Sequence, residues 1–244
     1  MSSTTRSLGN QYQVGKSSAN RILLENNFIY GRTTSTRTLT DQEKTNRVTY
    51  CEDMLKRNGK KILATFFSDE TGHSLSEAHR QRTWHSLRKQ EKVEVPKKDI
   101  RLNCWGAISF RGATSLYIYR DTLKNDRYKN ILQEHQREMD ELYNDGYYFQ
   151  HDNYRVHTTC ESWMKEQHFC MVNFPTYSPD LSPVENIWWS LKQAVAKENP
   201  KTEAALEESL RRNWETLTTV RNLQPYFQDL YDRERQCVNN QGEL

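Results

Sequence analysis

Apolar residues are scarce in this chain of 244: they make up 35%, or about 39% with the nine glycines, against ~45–50% in an average globular protein. The mean hydropathy is −0.98. No apolar run approaches the ~18–20 residues of a membrane-spanning helix, and the opening MSSTTRSLGN has no signal-peptide core. These absences point away from a membrane and from secretion, so a soluble intracellular protein is expected. The five cysteines, Cys51, Cys104, Cys160, Cys170 and Cys237, are odd in number and never form C-x-x-C. That excludes a fully paired disulfide framework and a recognisable zinc site, and leaves reduced, mostly buried thiols. There is no internal repeat. What is present is a supply of 27 aromatics (8 Phe, 13 Tyr, 6 Trp), enough for a sizeable core and too many for a wholly disordered chain. The length fits one large domain, or one with an appendage.

The net charge of +3 is unevenly spread. Residues 1–101 hold 19 Lys/Arg against 11 Asp/Glu, a balance of +8, and residues 102–244 hold 16 against 21, a balance of −5. A basic segment on an otherwise acidic chain suits a polyanion partner, although solvated charge without a partner gives the same count. Within residues 1–32, Gly15 separates two helix-compatible stretches and Ser17/Ser18 can cap the second. The pattern resembles the last two helices of a helix-turn-helix, with Lys16, Ser17, Asn20 and Arg21 on or near a recognition helix that would contact DNA. An ordinary helical hairpin has the same pattern.

Residues 33–57 read as a Thr/Ser-rich linker followed by a helix, with Thr40-x-x-Glu43 as a capping box. Beyond them the periodicity changes. Lys61–Phe67 reads as a buried strand, and Leu102–Phe110 with Thr114–Tyr119 as a strand pair turned at Arg111-Gly112. Helical spacing follows over Asn125–Tyr143, then a strand at Tyr147–Gln150, a helix at Thr158–Lys165 and a strand at Phe169–Phe174. Amphipathic helices occupy Val184–Lys197 and Thr202–Leu217. The expected class is α/β, a mixed sheet flanked by helices.

Three acids stand where an enzyme would place them. Asp69 follows the first strand, Asp152 follows the strand ending at Gln150, and Glu185 opens a helix after Ser178-Pro-Asp-Leu-Ser-Pro183. Carboxylates that converge repel one another, and a divalent cation compensates. Singly, each has a plainer reading as a turn residue or helix cap. His73, His79 and His85 are not at a metal-ligand spacing and read as surface or phosphate-contacting residues. Trp188 and Trp189 read as core anchors rather than base-stacking platforms.

The words around these acids are more specific. Ser178-Pro-Asp-Leu-Ser-Pro-Val-Glu-Asn-Ile-Trp188 closely resembles the S-P-D-L-N-P-I-E-N-x-W signature of mariner-superfamily DNA transposases. Gln150-His-Asp-Asn-Tyr-Arg-Val-His157 is similar to that family's Q-x-D-N-A-P-x-H strand end, Ser68-Asp-Glu70 to its S-D-E motif, and Trp105-Gly-Ala-Ile108 to its W-G-x-I strand. The motifs keep the family order from about Gly15 onward. The resemblance implies a ribonuclease-H-like domain in which the first and fourth of these strands are neighbours. It further implies that Asp69, Asp152 and Glu185 form a metal-binding Asp-Asp-Glu triad for two Mg²⁺ or Mn²⁺ ions. The implied chemistry is hydrolysis at transposon ends, followed by attack of the freed 3′-hydroxyl on target DNA. The implied partners are terminal-repeat DNA, target DNA and a second copy in a homodimer, in the nucleus if the host is eukaryotic and otherwise in the cytoplasm. Asn153 and His157 match family positions and would support Asp152 or touch DNA.

The chain departs from the pattern at three places. The 32 residues between Asp152 and Glu185 are fewer than the commonest family spacing, a variation found in transposases of ciliate mobile elements. Tyr154 and Arg155 replace Ala-Pro, and Ser182 replaces Asn. The basic cluster Arg80, Arg82, Arg88, Lys89, Lys92, Lys97 and Lys98 is a candidate DNA path, or else a solvated hairpin. The expected organisation is a partial helix-turn-helix at 1–32, linker and helix at 33–57, catalytic domain at 58–220 and a C-terminal tail at 221–244. Because such enzymes usually carry two helix-turn-helix units, an N-terminal truncation is expected. Two other readings stay open: a catalytically silent DNA-binding descendant, and a ribonuclease-H-like nuclease without strand transfer.

Overall fold

The computed structural model describes residues 38–78 and 99–244, together with Ser18, in a chain that divides into two units, 1–39 and 40–244. Apart from Ser18, which is helical, the expected helix-turn-helix lies outside the described residues, including Lys16, Ser17, Asn20 and Arg21. So does the basic cluster from Arg80, Arg82, Arg88 and Lys89 to Lys98, with His79 and His85.

The second unit opens where Thr40 and Glu43 close the expected capping box, the Thr40 hydroxyl accepting from the Glu43 N–H and the Glu43 carboxylate from the Thr40 N–H. Helix α1 (Asp41–Leu63) is interrupted at Lys56–Gly59, where Arg57, Asn58 and Gly59 take positive φ of 54°, 59° and 73°. Glycine is needed at the last of these, since a Cβ would sit 2.8 Å from the Tyr231 ring. There follow β1 (Thr65–Ser74), a short helix α2 (Leu75–Ala78), β2 (Arg101–Ser109), β3 (Gly112–Ala113), β4 (Tyr117–Tyr119) and α3 (Asn125–Leu142). Then come β5 (Tyr148–Gln150), α4 (Arg155–Glu166), β6 (Cys170–Met171), a 3₁₀ turn (Pro179–Leu181), α5 (Pro183–Glu198), α6 (Glu203–Leu217) and α7 (Val220–Asn239).

The sheet is mixed, ordered β3-β2-β1-β5-β6, with β4 also on β2. β1 runs antiparallel to β2 from Phe67↔Ile108 to Ser74↔Arg101, and parallel to β5 from Thr65↔Tyr148 to Phe67↔Gln150. Strand alternation sends neighbouring side chains to opposite faces. Phe67, Cys104 and Ile108 enter one core with α1, α5, α6 and α7, while Phe66, Trp105, Ala107 and Phe149 enter another with α3 and α4. Both faces are therefore covered, which is why β2 is apolar through Cys104–Ile108, whereas β1 turns polar from Ser68 onward. Among the described residues no helix is long and apolar enough to cross a membrane. All five cysteines are free, and all but Cys170 are buried.

Several expected bounds move. Ile62 and Leu63 close α1 rather than open a strand, and β1 runs on past Phe67 to Ser74. Its second half is polar in sequence but pairs with β2 throughout, so the backbone ladder rather than apolar alternation defines it. The helix expected from Thr158 begins at Arg155, and the strand expected over Phe169–Phe174 is only Cys170–Met171. The boundary at 57/58 falls inside α1, at its interruption. The segment 221–244 is helical to Asn239 instead of a tail, because Leu223, Phe227, Leu230 and Cys237 recur on one face and pack into the core.

Helices α1 and α7 also lock the segment that leads into α5. The buried Arg47 guanidinium forms a two-pronged pair with Asp180 at 2.8 and 2.5 Å and donates to the Gly242 carbonyl. Arg233 adds a bond to the Asp180 carbonyl. The acid within Ser178-Pro-Asp-Leu is thus spent on architecture. Nearby Glu234 is fully buried with neither carboxylate oxygen partnered. Burial, with the neighbouring Cys237 adding to it and Arg233 opposing it, raises its pKa to about 9.

Candidate active site

Because β1 and β5 are parallel neighbours with Phe67 opposite Gln150, the chain brings Asp69 and Asp152 to the same end of the sheet. Asp69 lies within β1, opposite Gly106 of β2, not after the strand as expected. Asp152 follows β5 directly, and Glu185 is in the first turn of α5. All three line one open cavity of about 440 Å³, shared with Ser68, Gln150 and the loop Phe174–Pro179. A second cavity, of about 530 Å³, runs along Asp69, Glu70, Glu185, Trp189 and Lys192.

The two strand carboxylates are held differently. Asp69 accepts a 3.1 Å bond from the Trp188 indole N–H. Trp188 stacks on Trp214 with centroids 4.9 Å apart, and both indoles lie over Gly106, where a Cβ would come within 2.7 Å of Trp214 and 3.2 Å of Trp188. The glycine of Trp105-Gly-Ala-Ile108 thus makes room for the indole that orients Asp69. Burial, then the charges of Glu70, Glu185 and Asp152, push the Asp69 carboxyl well above the usual aspartate range.

Asp152 is half exposed, at 51%. Its Oδ1 accepts from the Tyr154 N–H at 2.9 Å and from His157 Nδ1 at 2.7 Å. The other ring nitrogen of His157 meets Glu70 Oε1 at 3.2 Å. A ring facing a carboxylate oxygen on each side donates from both nitrogens and is an imidazolium. Burial opposes that charge, but the bonds to Asp152 and Glu70 outweigh it and raise the His157 pKa to about 10. Asp152 in turn lies below its usual range: burial would lift it, and the His157 and Tyr154 bonds lower it further.

Glu185 makes no hydrogen bond or ion pair among the described residues. Burial raises its pKa, Lys192 opposes, and Asp152 adds to the rise. Asn153 fixes the cavity wall, its amide donating to the Phe174 carbonyl at 2.9 Å. Of the supporting pair, His157 bears on Asp152 and Asn153 bears on the loop.

A hard divalent cation requires oxygen donors and charge balance. The cavity supplies three carboxylates, and burial first, with neighbouring acids adding to it, raises the pKa of Asp69 and Glu185, a cost that a bound cation would offset. The donor chemistry fits such an ion. The side chains share the cavity without closing on one point: among the described residues no trio of His, Cys, Asp or Glu is already drawn together for a metal.

Two expectations are corrected here. His73 is buried rather than at the surface, and burial, with Lys192 and Arg101 near, lowers its pKa to about 4. Trp188 is the core anchor expected, but Trp189 is 66% exposed at the second cavity, since it falls on the outer face of α5. Sequence reasoning also missed Glu70. Its only signal was its place in Ser68-Asp-Glu70, one residue from Asp69 and so on the opposite face of the strand.

Over residues 64–207 the chain matches the family model described as DDE superfamily endonuclease. It is similar to the transposable element Tc3 transposase of Caenorhabditis elegans, 24% identical over 213 residues covering 84% of this chain and 63% of the relative. It is also similar to the Tc1 transposase of the same organism, 26% identical over 117 residues covering 46% of this chain and 42% of the relative. The chain thus spans less than two thirds of the length of these relatives. Among solved structures, the Mos1 mariner paired end complex with Mn aligns with TM-score 0.77 at 18% identity, over 99% of this chain and 75% of that one. The catalytic domain of Mos1 mariner transposase aligns with TM-score 0.67 at 18% identity, over 86% of this chain and 99% of that one. The α/β fold with its mixed sheet is therefore that of the Mos1 catalytic domain, the ribonuclease-H-like arrangement that the motifs implied.

Proposed function

The chain belongs to the DDE superfamily endonucleases, and from that premise we propose that it is a mariner-type DNA transposase that cuts at transposon ends and joins them to target DNA. The observation that carries the proposal is the single cavity lined by Asp69, Asp152 and Glu185, each from a different element. Three intact carboxylates in one cavity count against a silent DNA-binding descendant. The Ser178–Trp188 segment, which builds the cavity wall and delivers Glu185, counts against a nuclease of another family.

Asp69, Asp152 and Glu185 would hold the divalent cations. Bound there, two Mg²⁺ or Mn²⁺ ions would supply an activated water or 3′-hydroxyl and stabilise charge on the phosphodiester. The chain's own part is positioning. The Trp188 N–H holds Asp69, His157 and the Tyr154 N–H hold Asp152, and Asn153 ties the Phe174–Pro179 wall to the Asp152 turn. Trp189 and Lys192 beside the second cavity offer a base-stacking surface and a phosphate contact. Support for DNA as substrate comes from relatives described as a strand transfer complex and paired end complexes. Pairing of two ends also motivates a homodimer. The basic residues at 16–21 and 80–98 are proposed contacts to DNA.

The test uses a plasmid carrying the DNA segments on either side of the gene as an inverted pair of ends, incubated with Mg²⁺ or Mn²⁺. Wild-type protein should cut at those ends, and a folded Asp152→Ala variant should lose about a thousand-fold or more of that activity. Undiminished cleavage by the variant would remove the basis of the assignment.

A further inference from the structure

We propose that Glu70 is a positioning residue of the carboxylate site, acting through His157 to hold Asp152 in the orientation that takes a divalent cation. The inference rests on the functional reading above. Its basis is a chain of contacts: Glu70 Oε1 to His157 Nε2 at 3.2 Å, and His157 Nδ1 to Asp152 Oδ1 at 2.7 Å. The imidazole in the middle is 1% exposed, whereas Asp152 is half in solvent. A half-exposed carboxylate after a three-residue strand has little packing to fix its side chain, so its orientation must come from bonds.

The ring that supplies the bond is itself fixed on three sides. Tyr128 lies against it at 4.3 Å, His151 stacks on it at 5.0 Å with planes 13° apart, and Tyr154 meets it edge-on at 5.6 Å. Tyr154 stands where the motif that the sequence resembles has alanine, so an aromatic wall closes the cage here. The cage fixes the ring's plane, but which of the two orientations related by a 180° flip about Cβ–Cγ it takes is set by what each nitrogen meets. Glu70 provides the second point and comes from the rigid β1 ladder, one residue from Asp69. Adjacent residues of one strand thereby serve both carboxylates: Asp69 directly on one face, and Asp152 through Glu70 and His157 on the other. Hydrogen bonds of this kind behind a ligating carboxylate commonly govern metal affinity.

The test is Mn²⁺ binding to the full chain, read from the loss of free-ion EPR signal, with circular dichroism to confirm folding. Glu70→Ala should raise the Mn²⁺ dissociation constant about 10-fold or more. Glu70→Gln, which keeps an acceptor for Nε2, should stay within about 3-fold. His157→Asn can mimic Nδ1 but cannot reach Glu70, so it should match Glu70→Ala, and the double variant should be no worse than either. In the metal-free wild type, ¹⁵N spectra should show both His157 nitrogens hydrogen-bonded, with the Nε2 bond lost in Glu70→Ala. If folded Glu70→Ala or His157→Asn binds Mn²⁺ as tightly as wild type, the positioning role is overturned while the functional reading stands. If the wild type takes up no Mn²⁺, the functional reading fails and the inference falls with it.

Discussion

Asp69 and Asp152 end up in one cavity by opposite routes. Asp69 sits inside the longest strand, shielded by two stacked indoles, and its charge is opposed by burial and by three neighbouring acids. Asp152 sits on a turn, half exposed, and its charge is welcomed by an imidazolium. One carboxylate is placed well and ionised reluctantly; the other ionises readily and must be placed by bonds. A site that needs both features obtains them by drawing on a stiff element and a loose one, and each can be perturbed separately.

The largest effect is expected at Glu234, which isolates burial from function because it lies in no cavity described above. Its folded pKa of about 9 exceeds the ordinary 4.5. Between those values unfolding releases a proton, so its contribution makes stability fall as pH rises from 4.5 to 9. Replacing it with Met should add on the order of 3 kcal/mol at pH 7 and flatten that slope in urea titrations. An unchanged slope would mean that burial alone does not set the cost at Asp69 either. Next comes Trp188→Phe, which keeps a ring but removes the donor to Asp69. Metal-dependent cleavage should drop about 10-fold while the fold persists, a loss matching the Glu70→Ala effect on the other side.

The smallest effect sharpens the contrast most. In metal-free protein at pH 7, Asp69→Asn removes a charge that folding disfavours and should raise the melting temperature. Asp152→Asn removes one that folding favours and should lower it. Solvent screening at half-exposed Asp152 keeps that change below about 1 kcal/mol. The Asp152 contribution exists at neutral pH and disappears as pH falls below the ordinary value of 3.8. Calorimetry of the two variants giving shifts of the same sign would dissolve the distinction.

What could be read in the sequence was whatever depends on short-range pattern. The Thr40–Glu43 box and the helices carrying Ile131, Leu191 and Trp214 follow from local chemistry and apolar spacing, whereas the turn expected at Arg111-Gly112 falls at Phe110-Arg111 and the strand expected over Thr114–Tyr119 is split into β3 and β4. Asp152 and Glu185 sit on the expected elements, since each flanks an unambiguous strand or helix. The polar half of β1 was hidden because its order comes from the β2 ladder, Phe67↔Ile108 to Ser74↔Arg101, whose partners are distant in the sequence. Glu70 and His157 were not linked because 87 residues separate them, and only β1 packed against α4 shows the pairing. Trp189 was misplaced for a simpler reason: next to Trp188 it must point to a different side of α5, and apolar identity alone does not say which of the two is inside.

The length of the β1–β2 ladder carries a consequence for dynamics. Amides at the centre of a long, doubly covered strand exchange with solvent only when the whole domain opens, whereas those in a turn after a three-residue strand exchange through small local openings. The site therefore joins a slow-exchanging half and a fast-exchanging half. An ion gripping both would leave the amides around Asp69 almost unchanged and slow those of residues 151–155, so its footprint in hydrogen exchange should be one-sided.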